Sequence, residues 1–451
     1  MHIEEISYFS DSTFYYEKVR HLEWPVYLDS CYQKDKPQSD IARYDIIVAN
    51  PFIKCQTKGN KVLISKNGKD EIVLGNSLNI IQELMSSFDY SDHELPFVGG
   101  AIGYFSYELN SNSKKKSLIP TMMVGVYDWA LVVDHFKTKA FLVSPMFNSQ
   151  TKSNWLDIIQ LFNQQAVSKI GSFKITSDIS DNTSFDKYKK KFNKITSYFK
   201  KGDCYQVNIS KKYQVKTSGD SWYFYKKFRE INKSPFMAYM QYDNFEILSG
   251  SPERFIKSRD YCLETRPIKG TRARGLDERG DKKNIDDLLN SAKDKAENLM
   301  IVDLLRNDLS VNAEVGSVAV KELFSIESYP NVHHLVSTIT AKLNNKTSLF
   351  KVFKDAFPGG SVTGAPKIRA MEVIDELEEH SRDLYCGGIA YFGYHNVMDS
   401  NVAIRSMIHY DHTLHFYSGG GLTIQSNLED EYQEIEDKVE NIKKTINFFK
   451  D

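Results

Sequence analysis

Several things are scarce in this sequence, and each scarcity removes a class of function. No apolar run approaches the roughly 18 to 20 residues that a helix needs to cross a bilayer. The start, MHIEEISYFSDS, is acidic and polar, whereas a secretory signal would place a basic and then an apolar stretch there. Net charge is nearly absent: 58 Lys and Arg against 59 Asp and Glu leave −1 at pH 7. Neither a nucleic-acid polyelectrolyte nor an anionic membrane surface is therefore an expected partner. The five cysteines (Cys31, Cys55, Cys204, Cys262, Cys386) are odd in number, widely spaced and without a Cys-x-x-Cys pair. That argues against a disulfide framework and a zinc knuckle. The expectation is a cytoplasmic chain. A small anionic ligand stays compatible with this charge balance, because it needs only a local cluster of donors.

What is present is globular material: 451 residues, 41% apolar and 26% charged, enough for more than one hydrophobic core. Residues 1–165 read mainly as strands and turns. YDIIVANPF and KVLISKNGKDEIVL are β-rich, WALVVDHFKTKAFLVS predicts a hairpin, and FVGGAIGYFSYEL is a glycine-broken strand. After the polar stretch TSDISDNTS, Phe185, Tyr188, Phe192, Ile195 and Phe199 recur at helical spacing, with Asn182, Thr183 or Ser184 as the N-cap. Strands follow at CYQVNISKKYQV, PFMAYMQY, FEILSGS and YCLETRP, then a long helix from about Lys282 to Asn307. A helix follows the Pro-Gly-Gly turn at APKIRAMEVIDELEE, and a last one runs from about Leu428 to Phe448. Many strands with irregularly interspersed helices predict a layered α+β fold and not a regular βαβ barrel.

Two acidic pairs, Asp294/Glu297 and Glu431/Glu434, are each spaced to share one helix face. Spacing alone makes such pairs solvated surface. Converging from two helices, they could instead hold a hard divalent cation, which prefers oxygen ligands.

The surroundings of these pairs change the reading. AENLMIVDLLRNDLS, FPGGSVTGAPKIRAMEVIDELE, YCGGIAYF, VAIRSMI and GGGLTIQSNLEDEYQEIEDK, in this order, closely resemble the motifs of the chorismate-binding enzymes. That family includes anthranilate synthase component I, aminodeoxychorismate synthase component I, and the isochorismate and salicylate synthases. The resemblance implies a two-subdomain fold with antiparallel sheets forming a central β-sandwich flanked by helices, as in anthranilate synthase component I. Residues 1–165 would be its N-terminal region and 182–445 its chorismate-binding catalytic region.

The resemblance also implies the site. Glu297 and Glu434 match direct ligands of Mg²⁺, while Asp294 and Glu431 match positions acting mainly through bound water. Tyr385, Arg405 and the backbone of Gly419, Gly420 and Gly421 match the holders of a substrate carboxylate, a task suited to a bidentate guanidinium and to close-approaching N–H groups. Thr271, His334 and Ser361 match further substrate-contacting positions; Lys367 and Arg369 are read as structural. Glu253 in SPERF matches a general acid, a role that asks for a raised pKa.

Lys269 separates the members of the family. Isochorismate-type enzymes activate water with a Lys where this chain has Gln206, and an amide is no base. Anthranilate synthases usually read PIAGT, whereas this chain reads PIKGT, resembling the branch whose Lys adds covalently at C2 of chorismate before ammonia adds at C4. Such a Lys must be partly neutral, through burial or through cations such as Arg266, Arg272 and Arg274. The implied product is 4-amino-4-deoxychorismate, a precursor of 4-aminobenzoate and folate. The motifs include no cysteine nucleophile elbow with a downstream His-Glu, so ammonia is expected from a separate glutamine amidotransferase subunit. Anthranilate synthase component I is the alternative enzyme, and a non-catalytic chorismate-binding regulatory subunit the alternative from another class. Ser30 in VYLDSCYQ loosely resembles the LLES motif of a tryptophan pocket in related enzymes, but reads more simply as a strand end.

Overall fold

The computed structural model describes residues 1–33, 40–88, 90, 93–111, 113, 115–164, 171–329 and 332–450. Among these residues the strands form two sheets, of 13 and 12 strands, with antiparallel pairings. The first sheet runs from His2–Ile6 through Lys139–Ser144, Ala130–Asp134, Tyr44–Val48 and Val26–Asp29 into Phe236–Gln241, Phe245–Ser251, Ser406–Tyr410, Thr413–Thr423 and Gln206–Gly219. The second begins at Ile268–Ala273 and passes through Val332–Lys342, Cys262–Thr265, Arg254–Arg259, Val397–Asn401 and Gly388–Gly393. It continues into Gly100–Phe105, Met122–Tyr127 and Ile53–Lys58. Strands from 1–165 and from 182–445 share both sheets. Met237 pairs with Asp29 in the first, and Ala390 with Gly103 in the second.

Period-two burial explains the layering. Ile46, Val48, Ala130, Val132, Ala238 and Met240 turn inward onto Ile102, Tyr104, Met123 and Ile389 of the second sheet, forming the sandwich core. The alternate residues Ile47, Ala49, Leu131, Val133, Met237 and Tyr239 pack outward with Tyr16, Trp222 and Ile446 of flanking helices. On the far side, Cys55, Ala101, Phe105 and Val124 share a third core with Ile195, Ile301, Phe353, Ile374 and Ile435, each from a different helix. Strands covered on both faces read as continuous apolar runs, which is why WALVVDH lacks a clean alternation.

The predicted hairpin forms, with Ala130 against Val143. Ser184 caps the helix Phe185–Lys201 by accepting the Lys187 N–H, and left-handed Gly202 (φ 77°) ends it. Two expectations need correction. The helix expected from about Lys282 to Asn307 is two, Glu278–Asn290 and Ala292–Ser310, because Ser291 turns extended and accepts the Asp294 N–H as the cap of the second. The last helix is likewise two, Leu428–Lys438 and Glu440–Phe448, broken at Val439. That break lets Val439, Ile442 and Ile446 reach the outer core of the first sheet.

Candidate active site

Two backbone crossings between the sheets organise the site. Phe245–Ser251 belongs to the first sheet and Arg254–Arg259 to the second, so Pro252 and Glu253 span the gap. Beside them Val397–Asn401 of the second sheet leads back to Ser406–Tyr410 of the first through residues 402–405. The crossings are tied together by Val402 N–H to Glu253 O at 3.0 Å and Gly250 N–H to Arg405 O at 3.0 Å. Glu253 is 6% exposed, and burial raises its pKa against the opposing influence of Ser361, Lys269, Lys438 and Arg405. Arg405, at φ 51°, has no hydrogen bond or ion pair for its guanidinium among the described residues.

Lys269 reaches the same point through a bulge. Ile268 pairs with Val336 but Thr271 pairs with His334, so the strand carries one extra residue at Lys269–Gly270. Gly270 has φ 87°, and a Cβ there would come within 2.8 Å of Leu288 and 3.0 Å of Asp294, so both conformation and space require glycine. Lys269 Nζ donates to Ser361 O at 3.3 Å, and Ser361 Oγ donates to Glu253 Oε1 at 2.6 Å. One serine thus joins the amine to the buried acid. The neighbouring cations are engaged elsewhere: Arg266 with Glu327, Arg272 with Asp294 at 3.0 Å, and Arg274 with Asp281 at 2.7 Å.

Thr271 Oγ1 and His334 Nδ1 are 2.9 Å apart across the paired strands. Burial first, then Arg405 and His333, push the His334 pKa down to about 3, so its imidazole is neutral at pH 7. His333 instead contacts Ser328 and Asp281, a structural arrangement.

The glycine run lies in Thr413–Thr423. A Cβ on Gly419 would sit 2.9 Å from the Tyr385 hydroxyl, one on Gly421 2.8 Å from Gln206 Nε2, and one on Gly420 3.2 Å from Glu431 Oε2. Bare backbone there lets three side chains approach from two faces. The ladder to Ser406–Tyr410 ends at the Met407–Phe416 pair, leaving one edge of residues 418–423 open beyond it.

The acids converge incompletely. Glu297 and Glu431 are both raised by burial, and the Glu434 charge raises each of them further. Lys293 lies between the two helices, 3.5 Å from Glu431 and 3.9 Å from Glu297. Glu434 is lowered by Lys438, its partner at 2.7 Å. Asp294 faces Arg272 and Gly270 instead of this trio. Among the described residues no group of three or more His, Cys, Asp or Glu side chains is arranged to hold a metal ion by itself.

The chain matches the chorismate binding enzyme family over residues 29–444. It is 40% identical over 443 residues to "Aminodeoxychorismate synthase component 1" of Escherichia coli (strain K12), covering 96% of this chain and 95% of that one. It is 32% identical over 430 residues to "Anthranilate synthase component 1" of Acetivibrio thermocellus, covering 90% and 87%. Its fold superposes on anthranilate synthase component I from Streptococcus pneumoniae TIGR4 with a TM-score of 0.79 at 26% identity, over 91% and 95% of the two chains. The chain belongs to the chorismate-binding enzyme family.

Chorismate carries two carboxylates, and a chorismate-binding enzyme has to hold both. Unpaired Arg405, Tyr385 and the open glycine backbone are donors of the kind a carboxylate takes. The trio Glu297, Glu431 and Glu434 offers hard oxygen donors whose mutual repulsion is offset by Lys269, Lys293 and Lys438 and by the Ser426 hydroxyl on Glu431. That donor set suits Mg²⁺, which takes one or two carboxylates and completes its shell with water and substrate. Lys293 and Lys438 escaped the sequence reading, although each stands four residues from an acid it accompanies, Glu297 and Glu434, on one helix face. Lys438 Nζ also donates to Gly419 O at 3.0 Å, bracing the glycine strand. Lys367, held by Asp308 at 2.7 Å and by Ala356 O, is structural as expected.

A second feature lies apart from this site. A cavity of about 450 Å³ is bordered by both sheets, with Ser30, Pro235, Phe236, Met237 and Tyr391 in its wall. Ser30 follows the strand Val26–Asp29, and both its N–H and its hydroxyl donate to Asp45. Among the described residues no helix is long and apolar enough to cross a membrane.

Proposed function

We propose that this chain aminates chorismate at C4, giving 4-amino-4-deoxychorismate, with ammonia from a separate glutamine amidotransferase subunit. The observation that carries the reading is Lys269, which the bulge aims at Ser361 and Glu253 and whose charge acts on Glu297 and Glu434. Full-length relatives named aminodeoxychorismate synthase component 1, at 38 to 40% identity, support it. Their designation as a first component supports a partner subunit.

In this mechanism Arg405, Tyr385 and the glycine backbone hold one carboxylate of chorismate. Glu297 and Glu434 would hold Mg²⁺ directly and Glu431 through water, while Asp294, paired with Arg272, stands aside from them; the cation would supply positive charge for the other carboxylate. Glu253, biased toward its protonated form by burial, gives its proton to the C4 hydroxyl, which leaves as water. The lone pair of neutral Lys269 forms the bond to C2 as both ring double bonds move one place toward C4, from which the water departs. Ammonia then bonds to C4, both double bonds shift back, Lys269 departs as a neutral amine, and the new C4 ammonium returns a proton to the Glu253 carboxylate. Two allylic displacements return the nitrogen to the face the hydroxyl left. His334, held neutral, neighbours the ring without adding charge.

The test is incubation with chorismate, Mg²⁺ and ammonium. The expected product becomes 4-aminobenzoate only after aminodeoxychorismate lyase is added, and Lys269→Ala loses C4 amination by at least about a thousandfold. Fluorescent anthranilate forming directly would overturn the reading in favour of an anthranilate synthase. Chorismate binding without turnover would leave a regulatory subunit.

A further inference from the structure

Two residues before Tyr385 stands an acid that the mechanism above does not use. Asp383 is fully buried, and its backbone is left-handed at φ 51°, a conformation that Asp and Asn tolerate better than most residues. One carboxylate oxygen accepts the Leu118 N–H at 2.8 Å and the other accepts the Tyr417 hydroxyl at 2.9 Å. The Asp383 carbonyl accepts the Tyr107 N–H at 2.9 Å. Among the described residues no Lys or Arg forms an ion pair with this carboxylate. Lys212 stands opposite Tyr417 in the strand ladder, with Nζ 5.4 Å from the Tyr417 ring centre, and acts on Asp383 only through space.

These bonds hold Tyr385 by two routes. Along the chain they fix the turn that delivers Tyr385, whose own N–H donates to Arg382 O at 2.9 Å. Across the fold, the Tyr417 ring stacks on the Tyr385 ring, with centres 5.7 Å apart and planes 13° apart. Tyr417 and Gly419 are two apart in one strand and share a face. The missing Gly419 Cβ is what lets the Tyr385 hydroxyl approach that strand. The ring that Asp383 grips therefore backs the ring that faces the bare backbone.

The charges around Asp383 are few. Glu108 adds a like charge and Lys212 an opposite one, while the Leu118 N–H and the Tyr417 hydroxyl favour the ionised form. Tyr104 and Tyr417 stay neutral, since burial and the Asp383 charge both push them up. Burial pushes the His380 pKa down to about 4, so the imidazole near the Tyr417 ring is neutral at pH 7, and Arg382 is taken by Glu378. Burial outweighs the rest and pushes the Asp383 pKa up to about 7.

We propose that Asp383 is a positioning residue for chorismate, setting Tyr385, through the turn and through the Tyr417 ring, against the glycine strand where one carboxylate is held. This rests on the reading above that Tyr385 contacts that carboxylate. Binding an anion favours the uncharged acid, so chorismate and the Asp383 proton assist each other.

The experiment measures KM and kcat for chorismate consumption between pH 6 and pH 8, with Mg²⁺ saturating and free ammonia held constant. Asp383→Ala is expected to raise the chorismate KM about tenfold at pH 6, with kcat within about threefold. Asp383→Asn accepts from Leu118 and donates to Tyr417 as the protonated acid does, so it restores the wild-type KM at pH 6. Between pH 6 and pH 8 the wild-type KM rises about threefold or more relative to that of Asp383→Asn, which has no proton to lose. An Asp383→Ala KM within about twofold of wild type, or parallel profiles for wild type and Asp383→Asn, overturns the proposal. Tyr385→Phe separates it from the reading beneath. If Tyr385→Phe raises the chorismate KM and the Asp383 variants do not, only the proposal falls; if Tyr385→Phe also matches wild type, the carboxylate contact falls with it. Should Asp383→Ala fail to fold by thermal melt, Tyr417→Phe breaks the same link at one hydroxyl and carries the same KM expectation.

Discussion

Glu253 and Glu378 are two glutamates of nearly equal burial, 6% and 2% exposed, with opposite fates. Burial would raise both. Glu378, however, receives Arg382 Nε at 2.9 Å, Arg382 Nη2 at 2.7 Å and the Ser210 N–H at 2.7 Å, and its pKa falls to about 2. Arg382 then spends its remaining donors on Val362 O and Asn208 O, fastening the Ser361 turn to the strand of Gln206. Among the described residues the Glu253 carboxylate accepts only the Ser361 hydroxyl, and it stays raised. The first pair is closed and structural. The second is left open, with Arg405 close enough to act on the Glu253 charge. Completed hydrogen bonding makes Glu378 and Arg382 part of the frame, whereas Glu253 keeps capacity for a further partner.

The largest effect expected to sharpen this contrast is on turnover. Under the proposed mechanism Glu253→Gln keeps the shape but cannot deliver a proton, so the expected kcat for amination falls by about 10² to 10⁴. Its melting temperature stays level or rises, because a poorly solvated acid is removed. Next comes stability. Arg382→Met strands the Glu378 charge without its partner, at a cost of about 3 to 5 kcal/mol in denaturant unfolding. If Arg382→Met were as stable as wild type, the closed pair would not be a frame at all. The smallest effect is in the pH dependence of stability. Glu378, lowered from an ordinary 4.5 to about 2, binds its proton less readily folded than unfolded, so its stabilisation is present above about 4.5 and disappears as pH falls toward 2. Glu253, raised above 4.5, works the other way and costs stability as pH climbs through its folded value. Unfolding free energies of Glu378→Gln and wild type should therefore converge toward pH 2, and those of Glu253→Gln and wild type toward low pH and diverge above it. Parallel curves for either pair would dissolve the distinction.

Local signals were legible wherever a short stretch carried its own physics. A cap among Asn182, Thr183 and Ser184, the hairpin around DHFKTK and the helical spacing of both acidic pairs all follow from neighbours in sequence. Ser291 was just as local a signal, yet the helical pattern continuing on both sides hid its break. What could not be read were quantities set by distant partners. Asp294 turns to Arg272 and not to Glu431, and Lys293 lies between two helices whose sequences are more than a hundred residues apart.

The sequence by itself determined the family, through long ordered motifs, and the residue types available for chemistry: a lysine at 269, acids at 253, 297 and 434, a glycine run at 419–421. Only the tertiary structure decided which of them are unfinished. The bulge that aims Lys269, the two crossings that set Glu253 beside Arg405, and the missing partners of the Gln206 amide all depend on strands far apart in the chain. Whether a buried polar group is satisfied is a property of its neighbours in space, and no stretch of sequence contains them.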